Sequence, residues 1–232
     1  MSHPPLLGRL IETVPSATDD LLVTVRRLSD DEVRRPSALP GWSVGHVLTH
    51  IARNADALTN LTNWARTSVP TPAYSSPESR NADIEAGAAR PVAAQLADLA
   101  GGTAKFLQAV AEVPDANWET EVSWPNGKGR PAWMILPARL TELEVHHVDL
   151  GLGRTFADVE PWLRDVLLDY AMTNRPGLGF GLRADDTGWA RDEPGARIVS
   201  GDSAALLGWL LGRADGTDLT YDGELPSLPA WG

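Results

Sequence analysis

The apolar residues in the first two thirds of the chain recur at intervals of three and four, and this spacing constrains the fold more than any other feature. It gives an α-helix one apolar face, which must be buried against another element. Four stretches carry the pattern, beginning near Leu6, Ser43, Pro91 and Pro131. Because an antiparallel four-helix bundle buries four such faces together, we predict a bundle over residues 1–153.

Proline, glycine and serine mark the ends and interruptions of these helices. Ser43 is predicted to cap the second helix with its side-chain oxygen. Pro15 interrupts the first stretch, and the Gly-Gly pair at 101–102 is expected to bend or break the third. Residues 68–79 are rich in Pro and Ser and are predicted to form a functional loop. Residues 121–130 contain an Asn-Gly pair and predict an irregular or hairpin excursion.

The pattern changes near residue 154. A helix is predicted over about residues 161–173, followed by two short β-like segments, GFGLRA and ARIVSG. An apolar helix, SAALLGWLLGR, and a final short strand, DLTYDG, complete the chain. Short strands mixed with helices and separated by Gly-rich turns are typical of an α+β domain. We therefore predict a mainly α protein with a smaller α+β domain over residues 154–232.

Composition removes several classes of function. The chain has no cysteine, which excludes disulfides, a cysteine nucleophile and a zinc site built on sulfur. Acidic residues outnumber basic ones by 31 to 20 and no basic cluster is present, which argues against a nucleic-acid partner. No apolar stretch approaches the roughly 20 residues of a membrane span, and the N-terminus lacks a secretion-signal pattern. We expect a cytoplasmic protein that does not bind a membrane and has no obligate protein partner.

The histidines are the most informative residues for function. His46 and His50 lie four residues apart on the second predicted helix, and Glu142 and His146 lie four apart on the fourth, so each pair shares a helix face. If these faces meet inside the bundle, two imidazoles and a carboxylate converge. That donor set suits zinc and leaves a fourth position for water or substrate, although nickel, iron and manganese use the same groups.

Other polar residues near these pairs have less definite roles. His46 is either a group beside the metal or part of the polar surface. His147 points about 100° away from its neighbour around the helix, and Glu144 is expected to be solvated. Asp149 continues the polar face of the fourth helix, either as a partner of a ligand or as a cap. The alternative interpretation is that all the histidines are ordinary surface or capping groups.

Four segments, GWSVGHVLTHIARNADAL, PAYSSPESRNADI, ELEVHHVDLG and LGRADGTDL, carry a family resemblance. Together they resemble the mycothiol-dependent maleylpyruvate isomerases, which belong to the wider group of DinB-like metalloproteins. The resemblance extends from about Leu39 to Trp231. The His and Glu motifs are shared by the wider group, whereas SPESRN and the late GR motif are narrower and point to the isomerase.

The resemblance implies a site, residue by residue. The zinc ligands of the family fall on His50, Glu142 and His146, and its functional arginines fall on Arg80 and Arg213. The implied fold is a DinB-like four-helix bundle joined to an α+β domain similar to sterol carrier domains, which closes an active-site cleft between the two.

The resemblance also implies a reaction. Family members use mycothiol, a small sugar-linked thiol, to convert maleylpyruvate to fumarylpyruvate in gentisate degradation. Zinc would lower the pKa of the thiol. The thiolate would add to the cis double bond, the bond would rotate, and elimination would leave the trans isomer. The two arginines would hold the anionic substrate and its enolate, and Tyr74 and Asn81 could line the site.

Two rival functions remain open from the sequence. A mycothiol S-transferase on the same fold would release the thiol adduct as its product. A non-catalytic metal-binding regulatory or carrier module would close the metal site with a fourth protein ligand, for which His46 is the obvious candidate.

Overall fold

A computed structural model describes residues 3–229, with side chains from residue 6 onward. The chain divides into two compact units between Leu152 and Gly153. The side chain of His3 and the last residues of the chain, including Trp231, lie outside the described residues.

The first unit is a four-helix bundle, as predicted. Its elements are α1 (His3–Val25), α2 (Asp30–Val33), α3 (Val44–Thr67), α4 (Pro77–Ala88), α5 (Val92–Ala111), β1 (Glu121–Ser123), β2 (Gly129–Pro131) and α6 (Ile135–Asp149). The long helices α1, α3, α5 and α6 form the bundle: α3 packs against α5 and α6, and α1 packs against both of these as well. Their apolar faces meet in a core that includes Leu21, Ile51, Phe106 and Leu140.

The predicted interruptions of two bundle helices are wrong. Helix α1 runs through Pro15, although proline cannot donate the helical hydrogen bond at that position. Helix α5 runs unbroken through the Gly-Gly pair. A Cβ at Gly102 would lie 3.3 Å from Ala55 Cβ on α3, so this glycine permits close approach of α5 to α3. Packing between the two helices therefore compensates for the low helix propensity of glycine.

The loop predicted at 68–79 ends earlier than expected, because α4 begins at Pro77. The Ser76 side chain accepts a hydrogen bond from the Ser79 N–H, and proline in the first turn suits a helix start. Ile84 is the one large apolar residue that α4 buries, so the periodicity is too weak to reveal the helix. α4 packs closely on α3, where a Cβ at Gly45 would overlap the carbonyl oxygen of Ala88.

The hairpin prediction is confirmed. β1 and β2 pair in antiparallel register, with Val122 opposite Arg130. Gly127 in the connecting turn has a φ of 77°, a left-handed conformation that favours glycine.

The second unit is the predicted α+β structure. It contains α7 (Pro161–Asn174), β3 (Gly181–Ala184), β4 (Ala190–Arg191), β5 (Ile198–Gly201) and α8 (Ser203–Leu210). The strand order is β4-β3-β5, with β3 antiparallel to β4 and parallel to β5. The last predicted strand is reduced to a single bridge between Thr220 and Ser200. None of the described helices of either unit is long and apolar enough to cross a membrane.

Candidate metal centre

The bundle brings His50 of α3 together with Glu142 and His146 of α6. One ligand atom from each residue lies within 4.8 Å of the other two, and this is the one such group in residues 6–229. His50 Nε2 lies 2.9 Å from Glu142 Oε2, and His146 Nε2 lies 3.3 Å from the same oxygen. The two imidazole rings are 4.6 Å apart between centroids and nearly perpendicular. The three donor atoms therefore face a common point.

The local sequence places these side chains. Ser43 caps α3: its hydroxyl accepts the His46 N–H at 3.3 Å, and His46 Nδ1 accepts the Ser43 N–H at 3.1 Å, as a capping box. This starts α3 at Val44, nearly two turns before His50. On α6 the four-residue spacing of Glu142 and His146 puts both on one face.

The electrostatics of the three side chains favour a bound cation. Burial acts to raise the pKa of Glu142, but hydrogen bonds from His146 and His50 hold that pKa well below its usual range. Burial likewise acts to lower the pKa of His146, but Asp149 and Glu142 raise it to about 9. Burial lowers the pKa of His50. Two imidazole nitrogens and one carboxylate oxygen thus attract positive charge to one point, and this donor set fits a divalent metal.

Asp149 orients one of the imidazoles. Its Oδ2 accepts a hydrogen bond from His146 Nδ1 at 2.8 Å, and the side chain is buried. Its backbone carbonyl accepts a 2.8 Å hydrogen bond from Ala38 N–H, which fixes the end of α6. A carboxylate on the far nitrogen of a ligating histidine fixes its tautomer and ring orientation. Of the two roles that the sequence left open for Asp149, the geometry favours that of a partner to His146.

Arg80 lies beside the three residues. It belongs to the first turns of α4, and its Nη2 lies 3.2 Å from His50 Nδ1. Its Nη1 donates to Asn81 Oδ1 at 3.0 Å, and its guanidinium lies 5.9 Å from the centre of the Tyr74 ring. Burial raises the pKa of the Tyr74 hydroxyl, and the negative charge of Glu142 adds to this, so the phenol stays protonated at neutral pH.

The other residues of the histidine motifs have partners away from this point. The Nδ1 of His46 caps α3 and its Nε2 lies 3.1 Å from Glu85 Oε2, so both of its nitrogens are engaged. His147 is buried, with Nε2 2.8 Å from Thr24 Oγ1. The expectation of a solvated Glu144 is wrong, because this side chain is buried; α6 packs against both α1 and α3, so little of its surface faces water.

Arg213 lies in the second unit, just after α8. Its Nη1 donates to the carbonyl oxygen of Leu211 at 2.6 Å, and the side chain is half-buried. Its role in substrate binding stays a prediction.

Sequence reasoning missed two residues near the candidate ligands. The Trp42 ring lies edge-on to His50 with 5.5 Å between centroids. Arg139, one turn before Glu142, is fully buried. A charged residue within an otherwise apolar helix face is a signal that could have identified Arg139, whereas nothing in the sequence distinguishes Trp42 from a packing residue.

Comparison with known proteins identifies the family of the chain. The family model of the mycothiol maleylpyruvate isomerase N-terminal domain matches residues 14–151. Two solved structures, a mycothiol-dependent maleylpyruvate isomerase and a histidine-to-alanine mutant of such an isomerase, are each 29% identical to the chain. Each superposes with a TM-score of 0.84 over 97% of this chain and 97% of its own. No curated protein matches the sequence. The chain belongs to the mycothiol maleylpyruvate isomerase N-terminal domain family.

Proposed function

We propose that this protein is a zinc-dependent cis/trans isomerase that uses mycothiol as thiol cosubstrate and converts maleylpyruvate to fumarylpyruvate in gentisate degradation. The observation that carries the proposal is the convergence of His50, Glu142 and His146 on one point, with Arg80 alongside. The whole-length likeness to solved isomerases supports the choice of reaction. We also propose a cytoplasmic location, with mycothiol and a small anionic substrate as the molecules bound.

The metal ligands in this proposal are His50 Nε2, His146 Nε2 and a Glu142 carboxylate oxygen. These three residues would hold a zinc ion, which would bind the cosubstrate thiol, lower its pKa and so supply a thiolate at neutral pH. Asp149 keeps the proton of His146 on Nδ1 and so leaves Nε2 free as a ligand. The chain itself supplies no thiol, since it has no cysteine.

The reaction regenerates the thiol. The mycothiol sulfur forms a C–S bond with one carbon of the cis double bond. The π electron pair of the double bond moves towards the neighbouring carbonyl group, whose oxygen becomes the oxygen of an enolate. Rotation about the resulting single bond and expulsion of the same thiolate restore the double bond in the trans geometry. The substrate is a dianion, so the site needs positive charge and hydrogen-bond donors beside the ligands.

Arg80 and Tyr74 supply such groups. A guanidinium holds a carboxylate with two parallel hydrogen bonds, and a protonated phenol donates to an enolate oxygen. A neutral His50 that ligates through Nε2 carries its ring proton on Nδ1. Arg80 then loses its acceptor on this ring and its guanidinium turns to the substrate. Arg213, which belongs to the α+β unit, is proposed as a second substrate-binding cation.

The two rival functions differ in what they require. An S-transferase requires the same ligands and cations and differs in the release of the adduct. A non-catalytic metal module requires a fourth protein ligand, and both nitrogens of the expected one, His46, have other partners. We therefore favour an open, catalytic site.

The test has two arms. Purified protein is mixed with maleylpyruvate, with and without mycothiol, and the isomer is followed by its absorbance. Thiol-dependent formation of fumarylpyruvate supports the isomerase, accumulation of a thiol adduct indicates the transferase, and no turnover with thiol present contradicts both enzymes.

The second arm tests the ligands. Glu142→Ala is expected to lose zinc, measured as metal content of the purified protein. His46→Ala is the matched control, because it removes the other histidine of the α3 pair and should keep the metal. Equal zinc in Glu142→Ala and the unaltered protein would remove Glu142 from the ligand set.

A further inference from the structure

Arg139 is a fully buried cation in the core of the bundle. It lies three residues before Glu142 and seven before His146, so all three occupy one face of α6. Burial lowers the pKa of Arg139 to about 10, which leaves the guanidinium charged at neutral pH. A charge removed from water is costly unless it is compensated. This residue is therefore expected to have a function beyond filling space.

The guanidinium links α6 to both neighbouring helices. Its Nη1 donates to the Ile51 carbonyl at 2.8 Å and to Asn54 Oδ1 at 2.9 Å, both on α3. Its Nη2 reaches Thr103 Oγ1 on α5 at 3.4 Å. All three acceptors are uncharged, and within residues 6–229 the guanidinium forms no ion pair with a carboxylate.

The contacts of Arg139 on α3 lie next to a candidate metal ligand. Ile51 directly follows His50, and Asn54 lies four residues after it on the same side of the helix. On α6 the link is three residues from Glu142, about 4.5 Å along the helix axis at a rise of about 1.5 Å per residue. The hydrogen bonds of Arg139 therefore join α3 and α6 beside the point where His50 and Glu142 meet.

We propose that Arg139 is a positioning residue for the metal ligands, because its guanidinium holds α3 and α6 in the register that brings His50 and Glu142 to one ion. The inference rests on the proposed metal site. Metal sites tolerate ligand displacements of only about 0.2 Å, so a small slip between the two helices separates the donors. The negative charge of Glu142, one turn away, compensates part of the charge of Arg139.

Two of the acceptors give a matched pair of variants. Asn54→Ala removes an acceptor on α3, which carries His50, whereas Thr103→Val removes an acceptor on α5, which carries none of the three ligands. Both residues are buried and contact the same guanidinium. If Arg139 positions the ligands, the first variant affects metal binding and the second does not. If Arg139 only stabilises the fold, both lower the thermal midpoint and neither affects the metal.

Zinc affinity is measured by competition with a chromogenic chelator. The geometry of the ligands is measured by visible absorption of the cobalt(II) protein, and the stability of the fold by the thermal midpoint of the metal-free protein. We expect Asn54→Ala to weaken zinc binding about tenfold and to change the cobalt spectrum, while Thr103→Val stays within about twofold. Arg139→Met should weaken zinc binding further, to about a hundredfold loss. Arg139→Lys should not retain normal zinc affinity, since an ammonium group cannot replace the several fixed N–H donors of the planar guanidinium.

The outcomes separate this inference from the proposed function. Unchanged zinc affinity and cobalt spectrum in both Asn54→Ala and Arg139→Met would overturn the positioning role while leaving the metal site intact. Full recovery in Arg139→Lys would also overturn it, because charge alone would then suffice. Absence of zinc binding in the unaltered protein would overturn the metal site and this inference together. If Arg139→Met does not fold, the comparison of Asn54→Ala with Thr103→Val still decides.

Discussion

Asp149 is the residue whose substitution tests most directly how the metal ligands are oriented. Its Oδ2 lies 2.8 Å from His146 Nδ1, and the side chain is 1% exposed. In Asp149→Asn the amide oxygen still accepts the Nδ1 hydrogen bond, but without the negative charge. In Asp149→Ala the acceptor is absent and the imidazole is free to rotate.

The expected magnitudes follow from the type of hydrogen bond lost. A bond to a charged group contributes about 1.5–3 kcal/mol and a neutral one about 0.5–1.5 kcal/mol. The asparagine variant therefore loses about 1–1.5 kcal/mol, which corresponds to about tenfold weaker zinc binding. The alanine variant loses the whole contact, about 2–3 kcal/mol, or about 30- to 150-fold in affinity.

Zinc dissociation constants measured by chelator competition give these values. The thermal midpoint of the metal-free variants measures any separate loss of fold stability. Glu85→Gln is the matched control: Glu85 contacts His46 Nε2 at 3.1 Å, a carboxylate–histidine contact that involves none of the three candidate ligands, and its side chain is 79% exposed. This control should leave zinc affinity unchanged. Zinc affinity that is equal in the asparagine, alanine and unaltered proteins would refute the role of Asp149 in orienting His146.

Three further variants test other parts of the structure. The Arg80→Lys protein should bind zinc normally, but its kcat/KM for the dianionic substrate should fall about 10- to 100-fold, because lysine cannot hold a carboxylate with two parallel hydrogen bonds. An unchanged kcat/KM would exclude Arg80 from substrate binding. Gly45→Ala should lower the thermal midpoint, because its Cβ would overlap the Ala88 carbonyl and displace α4, whereas Gly8→Ala, which has open space, should not lower it. Burial acts to raise the pKa of Asp186, but hydrogen bonds from the first residue of α8 hold that pKa below its usual range. The charged Asp186 carboxylate therefore stabilises the fold above about pH 4, and this stabilisation is lost as the pH falls through the lowered pKa. Because Asp186 is exposed and its charge is screened by water, asparagine at this position should cost only about 0.5–1 kcal/mol at pH 7 and progressively less in acid. An equal loss of thermal stability at pH 7 and pH 3 would contradict the role of its charge.

Much of the fold could be predicted from the sequence because its helices bury one face. The apolar spacing indicates all four bundle helices, and Ser43 marks the start of α3 through its capping box. Glycine and proline were misleading inside helices. Their local cost is small compared with the free energy of burying a helix face, so α1 and α5 continue through them. Apolar spacing does not indicate helix α4 for the opposite reason, since this helix buries little apolar surface.

The candidate site shows the same division. Spacing alone placed His50 on one helix face and Glu142 and His146 on another, because helix geometry fixes which residues share a face. Spacing could not choose between His46 and His50, which share their face. The choice depends on partners far along the chain, since Glu85 contacts the first histidine and Glu142 contacts the second.

The sequence by itself therefore determined the four bundle helices, the nitrogen and oxygen character of the donor set, and the absence of any thiol from the protein. Only the tertiary structure decided which donors meet and what surrounds them. Arg80 and Arg139 acquire their positions from hydrogen bonds to His50 and to the α3 backbone, respectively. Such contacts form when helices pack in one register, and a periodic pattern specifies which face is buried but not the register in which two buried faces meet.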